Sequence, residues 1–422
     1  MNIAVIGAGV SGLSASWFLL KYGHKVSIYE KSNSLGGHAT ELEVNYIDDD
    51  RRETVKVNIA YDIFTKQTYP RYISLLEELE LGIEPCNPDY SFRSLSDMNE
   101  GKEQCKLFPV FKDKRRVRQL VKKDFRRLAW FSNKLSRKAK KFMVAPDSSI
   151  SFRQFLNDMK IPKDLIHGFY TPLFARPWGV KQIDMYDMPA EVILDWLNRL
   201  SILTPRPAQW YKNKGGVKNY IDQFASKLIE KGAVINTNSQ ILSIARTLEG
   251  VDINLQNGEI KHFDKVVMST NAKHALNLLA PPTEEELNTL QQFKYQKNNV
   301  LIHTDKTLMP SEKKDWSYFN IVYNPGNQET FNTIHFGRDK NVPVFLTNYR
   351  KLPKEPSEKD IITKYSFEQP IFNRQAKHSQ SQLKSIQGEN NTWFAGSYVL
   401  GHGHHESAVE SGYIVANSIS KG

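Results

Sequence analysis

The chain has 422 residues, a formal net charge of +11 and 40% hydrophobic residues, and this length is enough for two domains with separate cores. No apolar run approaches the roughly 20 residues that span a bilayer, and the first strand pattern begins at Asn2 without the charged and apolar leader of a signal peptide. The two cysteines, Cys86 and Cys105, suit a reducing compartment, so we predict a cytoplasmic protein in which both are packing residues.

A strand, a glycine turn, a helix and a second strand open the chain. The apolar run Asn2–Ile6 leads into three glycines and a helical pattern, and the second run, Lys25–Tyr29, ends at Glu30, 18 positions after the last glycine. The first glycine allows a tight turn, the second lets backbone approach a pyrophosphate, and the third lets the helix lie close to the strand. The helix N-terminus favours phosphate, and Glu30 can accept hydrogen bonds from ribose hydroxyls. The residues predicted to hold a dinucleotide here are Gly7, Gly9, Val10, Ser11, Gly12, Glu30 and Lys31.

A second glycine pair indicates which dinucleotide binds. Gly36 and Gly37, followed by His38, come six residues beyond Glu30. A nicotinamide domain has no need of this pair, whereas in glutathione-reductase-like flavoproteins such a doublet lets a further stretch of backbone cover the FAD diphosphate. The alternative interpretation is an ordinary surface turn.

The next hundred residues predict a hairpin and a helix. Residues 41–60 read as two strands around an acidic turn, and a helix pattern runs from Tyr72 to near Gly82. Further helical patterns at 151–157 and 184–200 make the middle third of the chain mostly α-helical.

All of the excess positive charge lies in one segment. Lys112–Lys141 holds 14 lysines and arginines and two acids, so the rest of the chain is close to neutral. Its apolar residues recur every three or four positions, which predicts an amphipathic helix or helix pair. Three interpretations stay open: a solvated basic face, a surface that docks on anionic lipid at the inner membrane face or on an acidic carrier, and a nucleic-acid surface. Nucleic acid is the least supported, because no known nucleic-acid module accompanies the charge.

The second half of the chain predicts strands of two different sheets. Asp264–Thr270 is an apolar run with a polar end, which is typical of a buried parallel strand near a cofactor. Four later segments look like strands of a second sheet: 300–304, 318–322, 333–336 and 344–348.

The last strand and helix return to the first domain. Thr392–Ser397 reads as a buried strand, and His405–Ile419 as a closing helix whose N-terminal dipole would face the pyrimidine edge of a flavin. Metal binding by His402, His404 and His405 is not favoured, because neighbours in a loop seldom converge on one ion. We therefore predict non-covalent FAD and no metal. The residues predicted at the flavin here are Gly396, Ser397, His405, Glu406 and Ala408.

Motifs spread over nearly the whole chain carry a family resemblance. They are Leu35-Gly36-Gly37-His38, Thr68-Tyr69-Pro70, Gly215-Gly216, Phe263-Asp264-Lys265-Val266-Val267, Ile302-His303-Thr304-Asp305, Leu308-Met309-Pro310, Ile386-Gln387-Gly388 and Trp393-Phe394-Ala395-Gly396-Ser397-Tyr398. Together they resemble the flavin-containing amine oxidoreductase superfamily. More closely, they resemble its bacterial NAD/FAD-binding branch, which is associated with cyclopropane-fatty-acid synthases and is similar to fatty-acid double-bond isomerases.

Three positions bear on the reaction. His38 stands where amine oxidases carry arginine, which favours the lipid-linked branch. Two positions depart from that branch: Asn58-Ile59-Ala60-Tyr61 replaces Asp-Thr-Gly-Phe, and His404 replaces an aromatic residue before His405-Glu406. We expect both departures to lie beside the flavin, so the reaction can differ from that of the relatives.

The resemblance implies an α/β architecture in which a glutathione-reductase-like, FAD-binding Rossmann domain is interleaved with an α+β substrate domain, as in amine oxidases. The FAD-binding domain would comprise 1–63, 206–282 and 388–422. The substrate domain would comprise 64–205, a helical cap, and 283–387, a sheet. The same analogy places backbone near Ile241 at the adenine.

Two residues are candidates for catalysis. Lys297 lies near the position where amine oxidases place a lysine that holds water against flavin N5, and the alternative is a surface lysine. His303 on the same predicted strand is either an acid/base group or a packed histidine. Six aromatic residues either line an apolar tunnel or belong to the core: Tyr170, Phe174, Trp178, Trp196, Trp210 and Tyr211.

These features predict an FAD-dependent oxidoreductase or isomerase that acts on an apolar substrate, most simply a fatty-acyl chain, by hydride transfer to flavin N5. Two alternatives remain. One is oxidation of an amine with release of peroxide, and the other is a non-catalytic flavoprotein partner of a lipid-modifying enzyme.

Overall fold

The computed structural model describes the chain except for residues 49–50, 61–62, 100–104, 108–122, 176–181, 201–207, 325, 327–328, 402 and 422. The strands, in chain order, are β1 (Asn2–Ile6), β2 (Lys25–Tyr29), β3 (Glu41–Asp48), β4 (Arg51–Asn58), β5 (Phe64–Thr65), β6 (Ile83–Cys86), β7 (Tyr90–Ser94), β8 (Lys106–Leu107), β9 (Trp210–Asn213), β10 (Val234–Asn236), β11 (Ile241–Arg246), β12 (Val251–Leu255), β13 (Ile260–Phe263), β14 (Lys265–Met268), β15 (Tyr295–His303), β16 (Phe319–Asn324), β17 (Glu329–His335), β18 (Phe345–Tyr349), β19 (Ile361–Pro370) and β20 (Thr392–Phe394).

The helices, in chain order, are α1 (Val10–Lys21), α2 (Pro70–Glu78), α3 (Leu95–Asn99), α4 (Lys123–Phe142), α5 (Phe152–Asp158), α6 (Lys163–Leu165), α7 (Thr171–Ala175), α8 (Gln182–Asp187), α9 (Ala190–Leu200), α10 (Val217–Glu230), α11 (Ala272–Leu278), α12 (Glu284–Leu290), α13 (Arg374–Gln382) and α14 (His405–Lys421). A π-helical turn, Ile166–Tyr170, joins α6 to α7. Short 3-10 turns lie at Lys313–Asp315, Glu358–Asp360 and Glu389–Asn391.

The first sheet is parallel and has five strands in the order β10-β2-β1-β14-β20. Its central strand, β1, is buried from Ile3 to Ile6, as expected for a parallel strand covered on both faces. The strand order reverses between β1 and β14. In open α/β sheets, ligands bind at this switch point beyond the carboxyl ends of the strands. The predicted Rossmann-type α/β fold is confirmed.

The second sheet has seven strands in the order β19-β15-β18-β17-β16-β7-β8 and is antiparallel except where β16 runs parallel to β7. It contains all four segments that the sequence predicts between residues 300 and 348. Three smaller sheets complete the strands: β3 with β4, β11 with β12 and β13, and β5 with β9 and β6.

A helical layer covers one part of the second sheet. The apolar faces of α4 to α9 share one core with Phe92 of β7 and Ile321 of β16. Helix α4 carries the described part of the basic segment: Leu135 and Ala139 are buried in this core, whereas Trp130 is 60% exposed. The predicted amphipathic helix is therefore present in 123–142. Residues 112–122 of the basic segment lie outside the described residues.

The core of the first sheet also contains α2. Tyr72, Leu75, Leu76 and Leu79 are buried there with Ile3 and Val5 of β1. The predicted boundary between residues 63 and 64 assigns this helix to the substrate domain, although it packs with the strands of the other one. The division into two interleaved domains stays a prediction. Among the described residues, no helix combines the length and the apolar character that a membrane span requires.

Candidate cofactor and substrate cavity

In the turn that follows β1, close backbone contacts leave no room for a side chain at Gly7 or Gly12. Gly7 has φ of +99°, and a Cβ there would lie 2.8 Å from the carbonyl oxygen of Ser269, at the end of β14. A Cβ at Gly12 would lie 2.0 Å from the carbonyl oxygen of Gly7. At Gly9, by contrast, an added Cβ meets no described atom within 4 Å. The fold itself requires Gly7 and Gly12, whereas Gly9 borders open space in the cavity.

The glycine pair predicted to cover the diphosphate lies against this turn. Gly36 donates its N–H to the carbonyl oxygen of Ala8 over 2.8 Å and forms a bridge with Gly9. Gly37 has φ of +59°, and a Cβ there would lie 3.2 Å from the Cα of Gly9. The two glycine turns therefore meet backbone to backbone, which is the arrangement expected for a diphosphate site.

Glu30 stands at the end of β2 and lines the cavity together with Lys31. Its carboxylate accepts hydrogen bonds from the N–H of Ala8 at 2.9 Å, and from the N–H and hydroxyl of Ser32 at 2.9 and 2.7 Å. These bonds fix the carboxylate at the mouth of the glycine turn. A carboxylate oxygen has two lone pairs, so the oxygen that accepts only from Ala8 keeps one acceptor position for a ligand.

The closing helix α14 lies across α1. A Cβ at Gly412 would come within 2.6 Å of the carbonyl oxygen of Ser11, so the two helices approach at backbone distance. The first residues of α14, His405 and Ala408, line the same cavity as Gly9. Both ends of the chain therefore meet at one cavity. Gly396 and Ser397, after β20, also line it.

His405 is buried between two tyrosines. Its Nε2 lies 3.4 Å from the hydroxyl of Tyr220, and the Tyr72 ring packs edge-on with its centroid 4.6 Å away. Burial disfavours the charged imidazolium and lowers the pKa of His405 to about 3, so the side chain is neutral at pH 7.

Glu406 has a different position from the one predicted for it. Its carboxylate accepts hydrogen bonds from the N–H groups of Arg71 and Tyr72 at 2.8 and 2.9 Å, at the N-terminus of α2. It borders a smaller, adjacent cavity together with Arg71 and not the main one. Its negative charge therefore stabilises α2.

One cavity of about 980 Å³ joins the glycine turns to the second sheet. This volume lies at the upper end of the range for ligand pockets. Polar residues that follow β14 also border it: Ser269, Thr270, Asn271 and His274. Both departures from the family pattern lie here, since Asn58, Ile59, Ala60 and His404 line the cavity. Tyr61 and His402 lie outside the described residues.

Side chains on one face of the second sheet form most of the facing wall. Residues at positions between them also line the cavity: Glu329, Phe331, Tyr349 and Glu368. Cross-strand register places Asn348 of β18 opposite Asn332 of β17, and Val300 of β15 on the other side of Asn348. Side chains on one strand alternate between the two faces, so the residues two positions away share this face. The cavity residues on this face are Asn298, Phe319, Thr330, Asn332, Ile334, Asn348, Arg350, Tyr365 and Phe367.

The two predicted catalytic residues stand on the opposite face of β15. Lys297 is solvent-exposed, and neither Lys297 nor His303 lines the cavity. His303 is fully buried, its Nε2 lies 2.8 Å from the Thr347 hydroxyl, and burial lowers its pKa to about 4. Along β15, Asn298 lines the cavity and the odd-numbered positions from 297 to 303 do not, although Glu368, the register partner of Lys297, lines it from β19. The catalytic roles of Lys297 and His303 stay predictions that the cavity wall does not support.

Two further assignments differ in position, and a third, His38, does not. Ile241 begins β11 and does not line the cavity. Gly12 contributes to helix packing and not to the lining. His38 does line the cavity, and its ring lies 5.2 Å from that of Phe367, so it joins the glycine loop to the second sheet. Burial lowers the pKa of His38.

The six aromatic candidates divide between wall and core. Trp196 and Trp210 line the cavity, Tyr170 and Phe174 are buried in the core of the helical layer, and Tyr211 packs at the edge of the first core. Trp178 lies outside the described residues. The asparagines of the wall, Asn298, Asn332 and Asn348, were not predicted. The available signal was their place within or next to predicted strands, where asparagine is uncommon.

The residues present fit FAD. No described side chain caps the N-terminus of α1, so its first N–H groups are left for a ligand such as a phosphate. Gly9 leaves space for that ligand, and Glu30 stands where a ribose acceptor is expected. The N-terminus of α14 borders the far part of the same cavity. The N-terminus of α1 and Gly9 would hold the diphosphate, Glu30 would hold the ribose, and the N-terminus of α14 would face the flavin.

Comparison with known proteins gives a family and a fold. A family model for flavin containing amine oxidoreductase matches residues 10–351. A 4,4'-diapophytoene desaturase of Staphylococcus aureus (strain Newman) is 39% identical over 79 residues, which span 18% of this chain and 16% of the desaturase.

Two solved structures share the whole architecture. The CLA-producing fatty acid isomerase from P. acnes superposes with a TM-score of 0.71 at 15% identity, covering 99% of this chain and 98% of that one. Putrescine oxidase bound to putrescine superposes with a TM-score of 0.67 at 12% identity, covering 99% of both chains. At these identities the likeness concerns the fold.

Proposed function

Because the chain belongs to the flavin-containing amine oxidoreductase family, whose cofactor is FAD, we propose that it is an FAD-dependent oxidoreductase or isomerase of an apolar, fatty-acyl substrate. The observation that carries this proposal is the single cavity that joins the glycine turns of the first sheet to the mixed apolar and amide wall of the second. When bound, FAD accepts a hydride at N5 and can return it.

The chain's own residues supply binding, orientation and exclusion of water. Apolar side chains from three parts of the fold converge on the cavity: Ile59, Ile63, Tyr69, Trp196, Trp210, Phe319, Ile334 and Phe367. Such a surface binds an alkyl chain by removing it from water, at about 25 cal/mol for each Å² of apolar area. The backbone amides of the glycine turns bind a diphosphate, and the fixed Glu30 carboxylate orients the ribose.

The names of two similar proteins support an apolar substrate. One acts on a fatty acid and the other on diapophytoene. Under this proposal an acyl chain lies along the second sheet, and hydride leaves an allylic or alkyl carbon. Return of the hydride to another carbon of the allylic system gives isomerisation. Loss of a proton from the neighbouring carbon, with passage of the hydride to an outside acceptor, gives desaturation.

One observation favours amine oxidation as a second candidate. Glu329 and Glu368 both line the cavity, and carboxylates bind ammonium groups. The fold also matches putrescine oxidase. A third candidate, a flavoprotein that assists a lipid-modifying enzyme without turnover, predicts a flavin that neither substrate class changes.

Anaerobic mixing separates the three candidates. The FAD-loaded protein would be mixed with an unsaturated fatty acid, its acyl thioester or putrescine, while flavin absorbance is followed and the lipid is then analysed for double-bond position. We expect an acyl substrate to bleach the flavin or to be isomerised. Bleaching by the amine, with peroxide on admitting air, would instead select amine oxidation. No change with either class, together with tight binding to a lipid methyltransferase, would select the partner.

We also propose that the basic segment docks on anionic membranes. In its described part, Trp130 is exposed and the ammonium of Lys134 lies 5.5 Å from the centre of its ring. An aromatic ring beside basic residues suits a lipid headgroup region. Binding to phosphatidylserine vesicles should weaken steeply with salt, because screening removes charge attraction. Binding that does not change with salt or with lipid charge would remove this proposal.

A further inference from the structure

One buried amide on the cavity wall has no partner within the described chain. Asn332 of β17 is 2% exposed and lines the cavity. Neither its side-chain oxygen nor its nitrogen makes a hydrogen bond to any described residue. Buried polar groups in native proteins are normally paired, and an exception needs an explanation. Because Asn332 borders a ligand cavity, a bound group is the most direct explanation.

The neighbouring strand contains an asparagine whose side-chain amide is fully hydrogen-bonded within the protein. Asn320 of β16 is fully buried, and its amide nitrogen donates to the carbonyl oxygens of Ser317 and Thr333 at 2.7 and 3.1 Å. Its oxygen accepts from the Ser91 hydroxyl at 2.8 Å and from the N–H of Ser317 at 2.9 Å. All of its hydrogen-bonding capacity is used. The side-chain amide of Asn320 is therefore fully paired within the protein, whereas that of Asn332, which borders the cavity, is not.

The four nearest neighbours of Asn332 on this face of the sheet are uncharged, and the charged cavity residues Glu329, Arg350 and Glu368 are not among them. Its cross-strand neighbours are Asn348 on one side and Ile321 on the other. Along β17, the residues that share its face are Thr330 and Ile334. An amide presents one acceptor and two donors and carries no charge. A carboxylate cannot donate to it and an ammonium cannot accept from it, whereas a carboxamide or a hydroxyl does both.

We propose that Asn332, with Asn348 beside it, forms a polar subsite that selects a neutral group able both to donate and to accept hydrogen bonds on an otherwise apolar substrate. The proposal rests on the proposed function, since it requires that an apolar substrate lies in this cavity. A primary carboxamide and an alcohol are the simplest groups of this kind. The subsite would distinguish this chain's substrate from a free fatty acid and from an amine.

Matched ligands test the selection. Oleamide, oleyl alcohol, oleate and oleylamine share one chain and differ in the polar end, and their binding to the FAD-loaded protein would be measured by flavin absorbance or calorimetry. We expect the amide or the alcohol to bind about tenfold or more tightly than the two charged ligands, and N332L to remove this preference. A wild-type preference for oleate or oleylamine, or an unchanged preference in N332L, would overturn the proposal.

Two further readouts separate the subsite from other roles. N332L should keep the FAD content and the melting temperature of the wild type, because it removes a polar group that has no partner. N320L, the matched control, should lower the melting temperature by several degrees. Loss of FAD from N332L would make Asn332 a cofactor contact, and a fall in melting temperature like that of N320L would make it structural; either result overturns the proposal.

Failure of the subsite can be distinguished from failure of the proposed function. Selective, Asn332-dependent binding without turnover of any acyl chain would retain the subsite and reject the function. Turnover of acyl chains without selection at the polar end would retain the function and reject the subsite.

Discussion

The two walls of the cavity are built in different ways. The wall at the first sheet consists mostly of backbone: Gly7, Gly9 and Gly37, the N-terminus of α1, and one fixed carboxylate. The wall at the second sheet consists mostly of side chains on one face of five strands, among them Asn332 and Asn348. A backbone site requires glycines at set spacings, whereas a side-chain site can be altered one residue at a time without altering the fold. This difference suits a constant cofactor and a variable substrate.

The largest expected effects come from substitutions at two glycines of the opening turn, Gly12 for stability and Gly9 for FAD binding. G12V should lower the free energy of unfolding by more than about 4 kcal/mol, because the added carbons would overlap the carbonyl of Gly7. G9V should fold with nearly wild-type stability in the absence of FAD and retain less than about a tenth of the bound FAD. Thermal melts of the apo proteins and absorbance after FAD addition measure the two effects. Normal FAD content in G9V would show that this turn does not hold the cofactor.

The next largest effect concerns His303, which lies on the face of the second sheet away from the cavity, and the pH dependence of the free energy of unfolding. The folded-state pKa of His303 is about 4 and the unfolded value is 6.5, so between these values only the unfolded chain binds the proton. The stability due to neutral His303 is therefore complete above pH 6.5 and decreases as pH falls towards 4. In H303Q, the loss of unfolding free energy between pH 7 and pH 4.5 should be about 2 kcal/mol smaller than in the wild type.

Denaturant titrations of H303Q and the wild type at the two pH values measure this difference. H303Q should also keep its turnover, because His303 does not line the cavity. A large loss of turnover with unchanged stability would restore the predicted acid/base role and contradict the comparison of the two faces.

A smaller effect is expected at Glu406, which caps α2 rather than lining the main cavity. E406A should lower the free energy of unfolding by about 1 kcal/mol, since two N–H groups at a helix N-terminus lose their acceptor. E410A, which breaks the partly exposed ion pair with Arg71, is the control and should cost less. FAD affinity should fall far less in E406A than in G9V. Equal losses of FAD would place Glu406 at the cofactor.

The smallest effect is expected at Lys297. K297A should change stability by no more than about 0.5 kcal/mol and should keep turnover, because this lysine is exposed on the face away from the cavity. N298L, one residue further on, removes a cavity-facing amide that donates to Gln369 over 2.6 Å, and should lower turnover. Steady-state kinetics of the two variants decide which face of β15 meets the substrate. Inactive K297A beside active N298L would reverse the assignment.

The amino-acid sequence by itself determined the first wall and the fold class. Glycine spacing, strand–helix–strand order and an acid at the end of β2 are local requirements of a dinucleotide site, so Gly7, Gly9, Glu30 and the Gly36-Gly37 pair can be identified without coordinates. The return of the closing helix to the cofactor site was predicted from the strand and helix pattern at the end of the sequence, and the close approach of α14 to α1 at Gly412 agrees with it.

Only the tertiary structure decided the second wall. A shift of one residue in a strand moves every side chain to the other face, so Lys297 and His303 could not be distinguished from Asn298 by position along the chain. The hydrogen-bond partners of Glu406 come from a helix more than 300 residues away in sequence, and the position of Asn332 against the cavity depends on strand register. Register between strands and contacts between distant elements depend on the whole fold, and for that reason the residues that would choose the substrate emerge from the structure.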